Sequence, residues 1–588
     1  MTTQTRNKKE WWETDKPINP FLLTDGYKVG HHQQYPDGTS LVYSNFTPRS
    51  NKYAPKGCNQ VVVFGTQMTM IRIHILFKEG FFDRPKDEVC QEIKKEYSLY
   101  LGTDYDVSHI ERLHDLGYLP VEVKALEEGT LVNMRIPMLT IKNTLPDFYW
   151  ITNFLETILS NLLWKPMTSA TIAHAYRNLL TSWQQKTDAG RGWFIDWQGH
   201  DFSMRGLDSI DATISSGLGH ATSFMGSDSL PVIHGARIYY GAEGAVVGSV
   251  NATEHSVMCA GKKDDEVETF RRLLRIYPTG ILSVVSDTWD LWKVCTEHIV
   301  TLKEEILARD GKLVIRPDSG DPVDIICGLE IGDVDFLTLY SFDEYGIDDT
   351  VLYNGSLYKL DRKRFQDDLE QHGEWVEDKD GMEEYGNNIH DNIKQYITKL
   401  DKVVSEAEIK GVVELLWDVF GGEVNAQGYK VLDSHIGAIY GDSITLERAE
   451  QICQRLEAKG FASTNVVLGV GSFTYQYNTR DTFGFAMKAT YVEITQKADE
   501  DMSNQGGPSF GKTWVEGREI FKDPVTDDGT KKSATGLLKV IKNADGEYEL
   551  LDKVSIAEEK EGELKTIYID GTFPRLVTFD EIRKKLIK

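Results

Sequence analysis

Strand-like runs that each stop at a polar cluster predict an α/β protein built on a parallel sheet. Leu313-Val-Ile315 turns abruptly into Arg316-Pro-Asp-Ser-Gly320. An apolar, β-branched run followed by a loop punctuated with proline and glycine reads as a buried strand that delivers polar groups at its end. The pattern recurs: Gly280–Ser286 stops at Asp287, Gly437–Tyr440 at Gly441-Asp442, and Asn465–Leu468 at Gly469-Val-Gly-Ser472. Trp193–Ile195 reads as a further strand that leads through Trp197 to His200-Asp201. The carboxyl edge of such a sheet is where ligands are handled, in a closed barrel and in an open α/β sheet alike. Periodicity leaves the choice between those two open.

Composition bounds the function. A chain of 588 residues has room for two or more domains, and 40% hydrophobic with 27% charged residues is ordinary globular usage. A formal charge of −26 disfavours a general nucleic-acid role, while local basic groups can still bind phosphate. The six cysteines form no CxxC pair, which fits free thiols in a reducing compartment. The basic N-terminal stretch has no apolar run behind it, and nothing approaches the roughly 18 apolar residues of a membrane span. A cytoplasmic protein is expected.

Along the chain, residues 1–18 read as a polar tail. Residues 19–184 are expected to form the N-terminal part of a discontinuous domain: Leu41–Phe46 and Val61–Phe64 read as strands and 83–113 as helical. Apolar residues at 151, 154, 155, 158, 159 and 162 predict an amphipathic helix over 147–163, with a second helix over 167–185. The strand-end domain is expected over 185–475. Within it Leu446, Ala449, Ile452, Cys453 and Leu456 share one helical face, Ser443 or Thr445 caps the start, and Gly460 closes the end. The charged block 359–408 and the loop-like 497–512 read as solvated insertions, although Ile389, Ile393, Ile397 and Leu400 carry helical spacing. Residues 476–588 hold short strand-like runs and a terminal helix at Phe579–Arg583, and these strands are expected to complete the first domain.

The residues able to carry chemistry are His200, Asp201, Arg205, Asp228, Glu254, His255, Asp287, Arg316, Asp318, Asp442 and Gly471. Aspartates at successive strand ends can accept sugar hydroxyls or orient hydrated Mg²⁺. Any one of them is more often a cap, a turn former or a salt-bridge partner, so their shared position after strand-like runs is the stronger signal. His255 beside Glu254 suits a proton relay or a phosphorylated nucleophile, against the plainer reading of a surface histidine. No HExxH occurs. Gly469-Val-Gly-Ser472 lacks the third glycine of GxGxxG and the Walker lysine, yet glycines after a strand still expose backbone N–H groups to a phosphate, with Arg480 and Lys488 as countercharges. Phe202 is a candidate platform for a flat ring; paired with the Arg316 guanidinium and the Asp228 carboxylate it would suit a small aromatic amide.

Taken together, Thr24-Asp-Gly-Tyr-Lys28, His200-Asp-Phe-Ser-Met-Arg-Gly206, Gly226-Ser-Asp228, Glu254-His-Ser256, Val285-Ser-Asp287, Ile315-Arg-Pro-Asp-Ser-Gly320, Gly441-Asp442, Thr479-Arg-Asp481 and Phe521-Lys-Asp-Pro524 resemble the nicotinamide phosphoribosyltransferases, in the family's order over roughly residues 20–588, the two polar insertions excluded. The resemblance implies a type II phosphoribosyltransferase: an irregular α/β barrel plus an α+β domain assembled from N- and C-terminal segments, working as a homodimer with interfacial active sites. It implies transfer of 5-phosphoribosyl from its 1-pyrophosphate to nicotinamide, assisted by Mg²⁺. The resemblance assigns Phe202, and Tyr27 from across the dimer interface, to the two ring faces; Asp228 to the carboxamide nitrogen; and Arg316 with Ser283 to its oxygen side. Arg205 is grouped with these substrate contacts. It assigns Asp318, Gly441 and Asp442 to the ribose, Gly471 and Ser472 to the 5′-phosphate, and Arg49, Arg480, Lys488 and Lys522 to the phosphates. Asp287 and Asp318 are expected to hold hydrated Mg²⁺ through its waters, and His255 matches a histidine phosphorylated by ATP. Two departures touch the phosphate contacts: the loop Gly469–Phe473 has a shorter glycine run than the family pattern, and Ala486 stands where a serine is expected.

Two alternatives remain at this level. A nicotinate phosphoribosyltransferase would have to place an anionic substrate against Asp228, a like-charge clash. A catalytically silent relative would be attractive if His255, Arg316, Asp318 or Asp442 were missing, and all are present.

Overall fold

The computed structural model describes residues 17–329, 331–333, 350–353, 356–361, 397–399, 404–497, 513–521 and 534–587. Lys522 and most of the two polar insertions lie outside the described residues. The chain divides into two compact units, one of residues 1–177, 201–248 and 471–588, the other of 178–200 and 249–470.

The first unit is organised on a six-stranded antiparallel sheet, ordered Thr513–Glu519, Ala486–Lys497, Thr39–Thr47, Leu139–Asn143, Val121–Ala125, Lys565–Ile569. C-terminal strands flank N-terminal ones on both sides, so neither half of the sequence completes this sheet alone. Thr39–Thr47 sits centrally and is buried along most of its length, with Val42, Tyr43 and Phe46 inside. Beside the sheet, the Val62, Phe64, Met68, Leu218 and Val232 core receives Phe579, Ile582 and Leu586 of the terminal helix Phe579–Ile587. Arg583 fastens that helix by donating to the carbonyls of Ala221 and Val246.

The second unit carries the parallel sheet. Its order is Val466–Val470, Ile436–Tyr440, Asp310–Arg316, Thr279–Val285, Asn251–Ala252, with Gly199–Asp201 beyond Val466–Val470. The five pair as parallel neighbours throughout. Parallel neighbours need crossover connections, and helices supply them, including Pro322–Cys327, Glu406–Phe420 and Leu446–Ala458. The last of these buries Ala449, Ile452, Cys453 and Leu456 and is capped by the Thr445 side chain, as its spacing predicts. This is the strand set of an irregular α/β barrel.

Three local expectations need correction. Trp193–Ile195 is not a strand: Ala189–Phe194 is a 3₁₀ turn, Ile195–Gln198 a short helix, and the strand begins only at Gly199. Trp193 is 66% exposed, so the half-buried surface that gives aromatics their strand preference is absent there. The helices expected over 147–163 and 167–185 divide elsewhere, with Trp150–Phe154 followed by one continuous 32-residue helix, Glu156–Thr187, that runs through Pro166. Gly65 makes room for the proline ring; a Cβ on it would stand 2.7 Å from Pro166 Cγ. Within the helical spacing read around 389–400, Ile397–Lys399 is instead a strand paired with Ser356–Leu360, whose backbone bonding outweighs the local period. Residues 389–396 lie outside the described set.

No helix among the described residues is long and apolar enough to cross a membrane. All six cysteines are free thiols.

Candidate active site

The parallel strand ends of the second unit gather the charged residues that the sequence singled out. Ser283 pairs in register with Val314, and Val285 with Arg316. Because side chains alternate along a strand, Ser283 and Arg316 share one face of the sheet. Arg316 donates through Nη2 to the Thr253 carbonyl, while Thr253 Oγ1 accepts the Val285 N–H at 3.0 Å. Two groups are left over: Ser283 Oγ and Arg316 Nε are buried without a hydrogen-bond partner. A hydroxyl and a guanidinium N–H on one face are what a carboxamide oxygen requires.

One turn further along lies the acidic group. Asp287 Oδ2 accepts the Asp318 N–H at 2.9 Å and the Ser319 hydroxyl at 2.6 Å, which locks the two strand ends together. Its side chain is only 5% exposed, yet Oδ1 has no hydrogen-bond partner. His255 Nε2 stands 4.0 Å from that oxygen and 3.9 Å from Asp318 Oδ2, and its Nδ1 is in hydrogen-bond contact with Thr288 Oγ1 at 3.0 Å. Burial raises the Asp318 carboxyl above its ordinary range; Arg316 opposes the rise, and Asp287 and Asp442 add to it. The acidic group is therefore electrostatically strained and suits a cation or cationic substrate atom. Gly441 permits its closest approach, since a Cβ there would lie 2.7 Å from Asp318 Oδ1. Asp442 accepts the Ser443 N–H at 2.6 Å. A cavity of about 370 Å³ opens beside Asp287 and Ser319, walled by Trp289 and Trp292.

Among the described residues no group of three or more His, Cys, Asp or Glu forms a cage for a bare metal ion. Mg²⁺ keeps several waters and needs only one or two carboxylates, and the unpartnered Asp287 Oδ1 beside Asp318 fits that weaker demand.

The first unit holds the other predicted residues in separate places. Phe202 is half-buried and Asp228 is exposed, and both lie within one hydrogen-bonded turn system around Asp201. Arg205 is exposed on the following turn. Gly206 abuts Ser472; a Cβ on it would lie 2.2 Å from Ser472 Oγ. Ser472 opens the short helix Ser472–Gln476, and Gly471 precedes it. Tyr475 of that helix donates to His220 Nδ1 at 2.7 Å, because His220 Nε2 must donate to the Gly226 carbonyl at 3.1 Å.

A cationic group sits where Thr39–Thr47 ends against the start of Ala486–Lys497. Arg49 donates to the Gly484 carbonyl at 2.9 Å, the Arg480 carbonyl accepts the Phe485 N–H at 3.0 Å, and Lys488 pairs in register with Asn45. Tyr27 lies on the 3₁₀ turn Gly26–Gly30, 64% exposed, its phenol raised by burial and by the nearby Glu156 and Asp25 carboxylates, with Arg480 opposing the rise. Sequence reasoning did not single out Thr253, Thr288 or Ser319, which orient Arg316, His255 and Asp287. Hydroxyl residues beside each named charge were the available signal.

Carboxylates and an arginine at parallel strand ends, with cationic side chains elsewhere in the chain, suit an enzyme that handles a phosphorylated sugar, and the family comparisons supply that class. The nicotinate phosphoribosyltransferase (NAPRTase) family model matches residues 197–365 and 379–505, and the N-terminal domain model of nicotinamide phosphoribosyltransferase matches 19–123. A nicotinamide phosphoribosyltransferase of Acinetobacter baylyi is 44% identical over 581 residues, covering 97% of each chain. Those of Mycoplasma pneumoniae and Xanthomonas campestris are 29% and 28% identical, covering 89% and 96% of this chain and 96% and 97% of their own. The chain belongs to the nicotinate and nicotinamide phosphoribosyltransferase family.

Proposed function

We propose that the chain is a nicotinamide phosphoribosyltransferase of NAD salvage, joining nicotinamide to 5-phosphoribosyl 1-pyrophosphate and releasing pyrophosphate. The observation that carries the reading is the 44% identity, over 97% of both chains, to a nicotinamide phosphoribosyltransferase; the unpartnered donors Ser283 Oγ and Arg316 Nε, on one sheet face next to the Asp287, Asp318 and His255 group, support it.

The chemistry follows from these groups. The pyridine nitrogen attacks C1 of the ribose, the C1–O bond breaks, and its electron pair leaves with pyrophosphate; no proton is lost, because that nitrogen carries none. Positive charge develops on the sugar, where Asp318 and Asp442 stand ready to stabilise it and to accept the ribose hydroxyls beside Gly441. By the family's pattern, Ser283 and Arg316 are assigned to the amide oxygen, Asp228 to the amide nitrogen and Phe202 to one ring face. Tyr27, exposed as it is, is assigned to the other ring face in a partner subunit, and the working form is a homodimer. Gly471 and Ser472 receive the 5′-phosphate, Arg205 lies on the turn beside them, and Arg49, Arg480, Lys488 and Lys522 serve the remaining phosphates. Asp287 and Asp318 would hold Mg²⁺ through water, and that ion supplies positive charge to the leaving pyrophosphate. ATP would phosphorylate His255, whose ring faces both carboxylates. The free thiols support a reducing, cytoplasmic setting.

Nicotinate is the competing substrate, and its carboxylate would meet Asp228 with like charge. Purified protein given Mg²⁺, the activated sugar and each pyridine in turn should form the mononucleotide from nicotinamide and far less product from nicotinate. The reverse preference would transfer the reading to nicotinate, and no turnover of either would leave a silent relative.

A further inference from the structure

Asp201 ends a short strand much as the reactive aspartates do, but it is fully buried and both of its oxygens are engaged. Oδ1 accepts the Ser203 N–H at 2.9 Å and the Ser203 hydroxyl at 2.6 Å. Oδ2 accepts the Ser227 hydroxyl at 3.3 Å, and the Asp201 carbonyl accepts the Asp228 N–H at 3.0 Å. Ser227 Oγ in turn accepts the Ser229 N–H at 3.0 Å, so the hydrogen bonding closes around residue 228 from both sides. Ser203, Ser227 and Ser229 are each at most 3% exposed. His220 holds the same turn from its other flank through the Gly226 carbonyl.

The residues so enclosed are informative. Phe202 lies between Asp201 and Ser203, and Asp228 lies between Ser227 and Ser229. A ring platform and an amide acceptor from segments 26 residues apart are thus referenced to one carboxylate. With no lone pair turned to solvent, Asp201 has no capacity for sugar hydroxyls or a hydrated cation.

We infer that Asp201 is a positioning residue for pyridine recognition: through Ser203 it sets Phe202, and through Ser227 it sets Asp228, so that ring and carboxamide are gripped in fixed relation. The inference rests on the nicotinamide reading above. It separates pyridine binding from sugar-phosphate binding, because the Asp201 network reaches neither Arg316 nor the cationic group around Arg49 through any of these bonds. Rotating Asp228 by even one rotamer removes an acceptor the amide nitrogen needs, while the activated sugar is unaffected.

The test uses the whole 588-residue chain with Ser227→Ala, Ser203→Ala, Asp201→Ala and Asp201→Asn, measuring KM for each substrate, kcat, and the ratio of nicotinamide to nicotinate turnover. Ser227→Ala should raise KM for nicotinamide about tenfold, the loss of roughly one hydrogen bond's worth of orientation, with kcat and the sugar KM within about twofold. The amide-to-acid ratio should fall in parallel. Asp201→Asn keeps an acceptor for Ser203 and should rescue part of what Asp201→Ala loses. If Asp201→Ala fails to fold, Ser227→Ala still decides. An unchanged nicotinamide KM, or equal rises in both substrates' KM, would overturn the inference. A wild-type protein that turns over no nicotinamide would instead overturn the functional reading beneath it.

Discussion

Asp201 in the first unit and Asp287 in the second are both carboxylates with buried side chains at or just past a strand end, and their hydrogen bonding is opposite. Asp201 engages both of its oxygens with neighbouring serines and backbone. Asp287 spends one oxygen on Asp318 and Ser319 and keeps the other, facing His255, without a partner. Leaving a buried polar atom unpaired costs folding free energy, on the order of 1–3 kcal/mol. Unpartnered buried atoms occur elsewhere among the described residues, singly as at Thr69 Oγ1 and side by side as at Glu266 and His298, but Ser283, Arg316 and Asp287 put three such atoms on or just past two adjacent strands. A saturated carboxylate organises protein; an unsaturated one next to other unpaired groups is waiting for substrate.

The contrast can be broken most decisively at His255. In His255→Ala, ATP hydrolysis and phosphoryl labelling of the protein should vanish, read by ADP release and by acid-labile phosphate. Labelling that persists would place the acceptor elsewhere and detach the histidine from the acidic group. Next in size is Arg316→Ala, which removes the amide donor from the unsaturated region and should lower kcat/KM by about 10²–10³-fold with little change in melting temperature. If it unfolds the protein instead, the guanidinium belongs with the saturated, structural class. Asp228→Ala is smaller in rate and sharper in meaning: the preference for nicotinamide over nicotinate should shrink by about 10–100-fold, because a charged acceptor is lost for one substrate and a repulsion for the other. A preference that survives would assign the discrimination to Ser283 and Arg316.

Much of this was legible in the chain because the signal was local. Apolar runs that abut Asp287, Asp318 and Asp442 mark strand ends within a few residues, and the helix over Leu446–Ala458 announces its own face and cap. What escaped was non-local. Asp201 and Asp287 look alike in sequence; what separates them is Ser227, 26 residues from Asp201, and the 31-residue reach from Asp287 to the Asp318 N–H. Trp193–Ile195 departs from its strand expectation for the same kind of reason, since strand preference needs a neighbouring surface that the segment itself does not encode. The helix Glu156–Thr187 runs through Pro166 where two helices are expected, because the space for the proline ring comes from Gly65, about a hundred positions upstream.

A third carboxylate gives the mildest test. Glu128 in the first unit is saturated like Asp201: Oε1 accepts from Thr66 Oγ1 at 2.8 Å and from the Gln67 N–H at 2.7 Å, and Oε2 from the Tyr240 hydroxyl at 3.0 Å. None of the residues proposed for substrate is among its partners, so saturation here predicts stability without recognition. Burial raises its pKa above 4.5 despite those bonds. A raised carboxyl contributes stability that is complete below the unfolded value and is lost as pH rises through the higher folded one. Glu128→Gln can keep the Thr66 and Gln67 bonds at its amide oxygen and donate to the Tyr240 hydroxyl, which reverses its role. The variant should therefore hold its melting temperature better than wild type as pH rises through that window, by about 2 °C or less, with both substrates' KM unchanged. A shift in the nicotinamide KM would mean that saturated carboxylates remote from the strand ends also tune the pocket, and the division drawn from Asp201 and Asp287 would then fail.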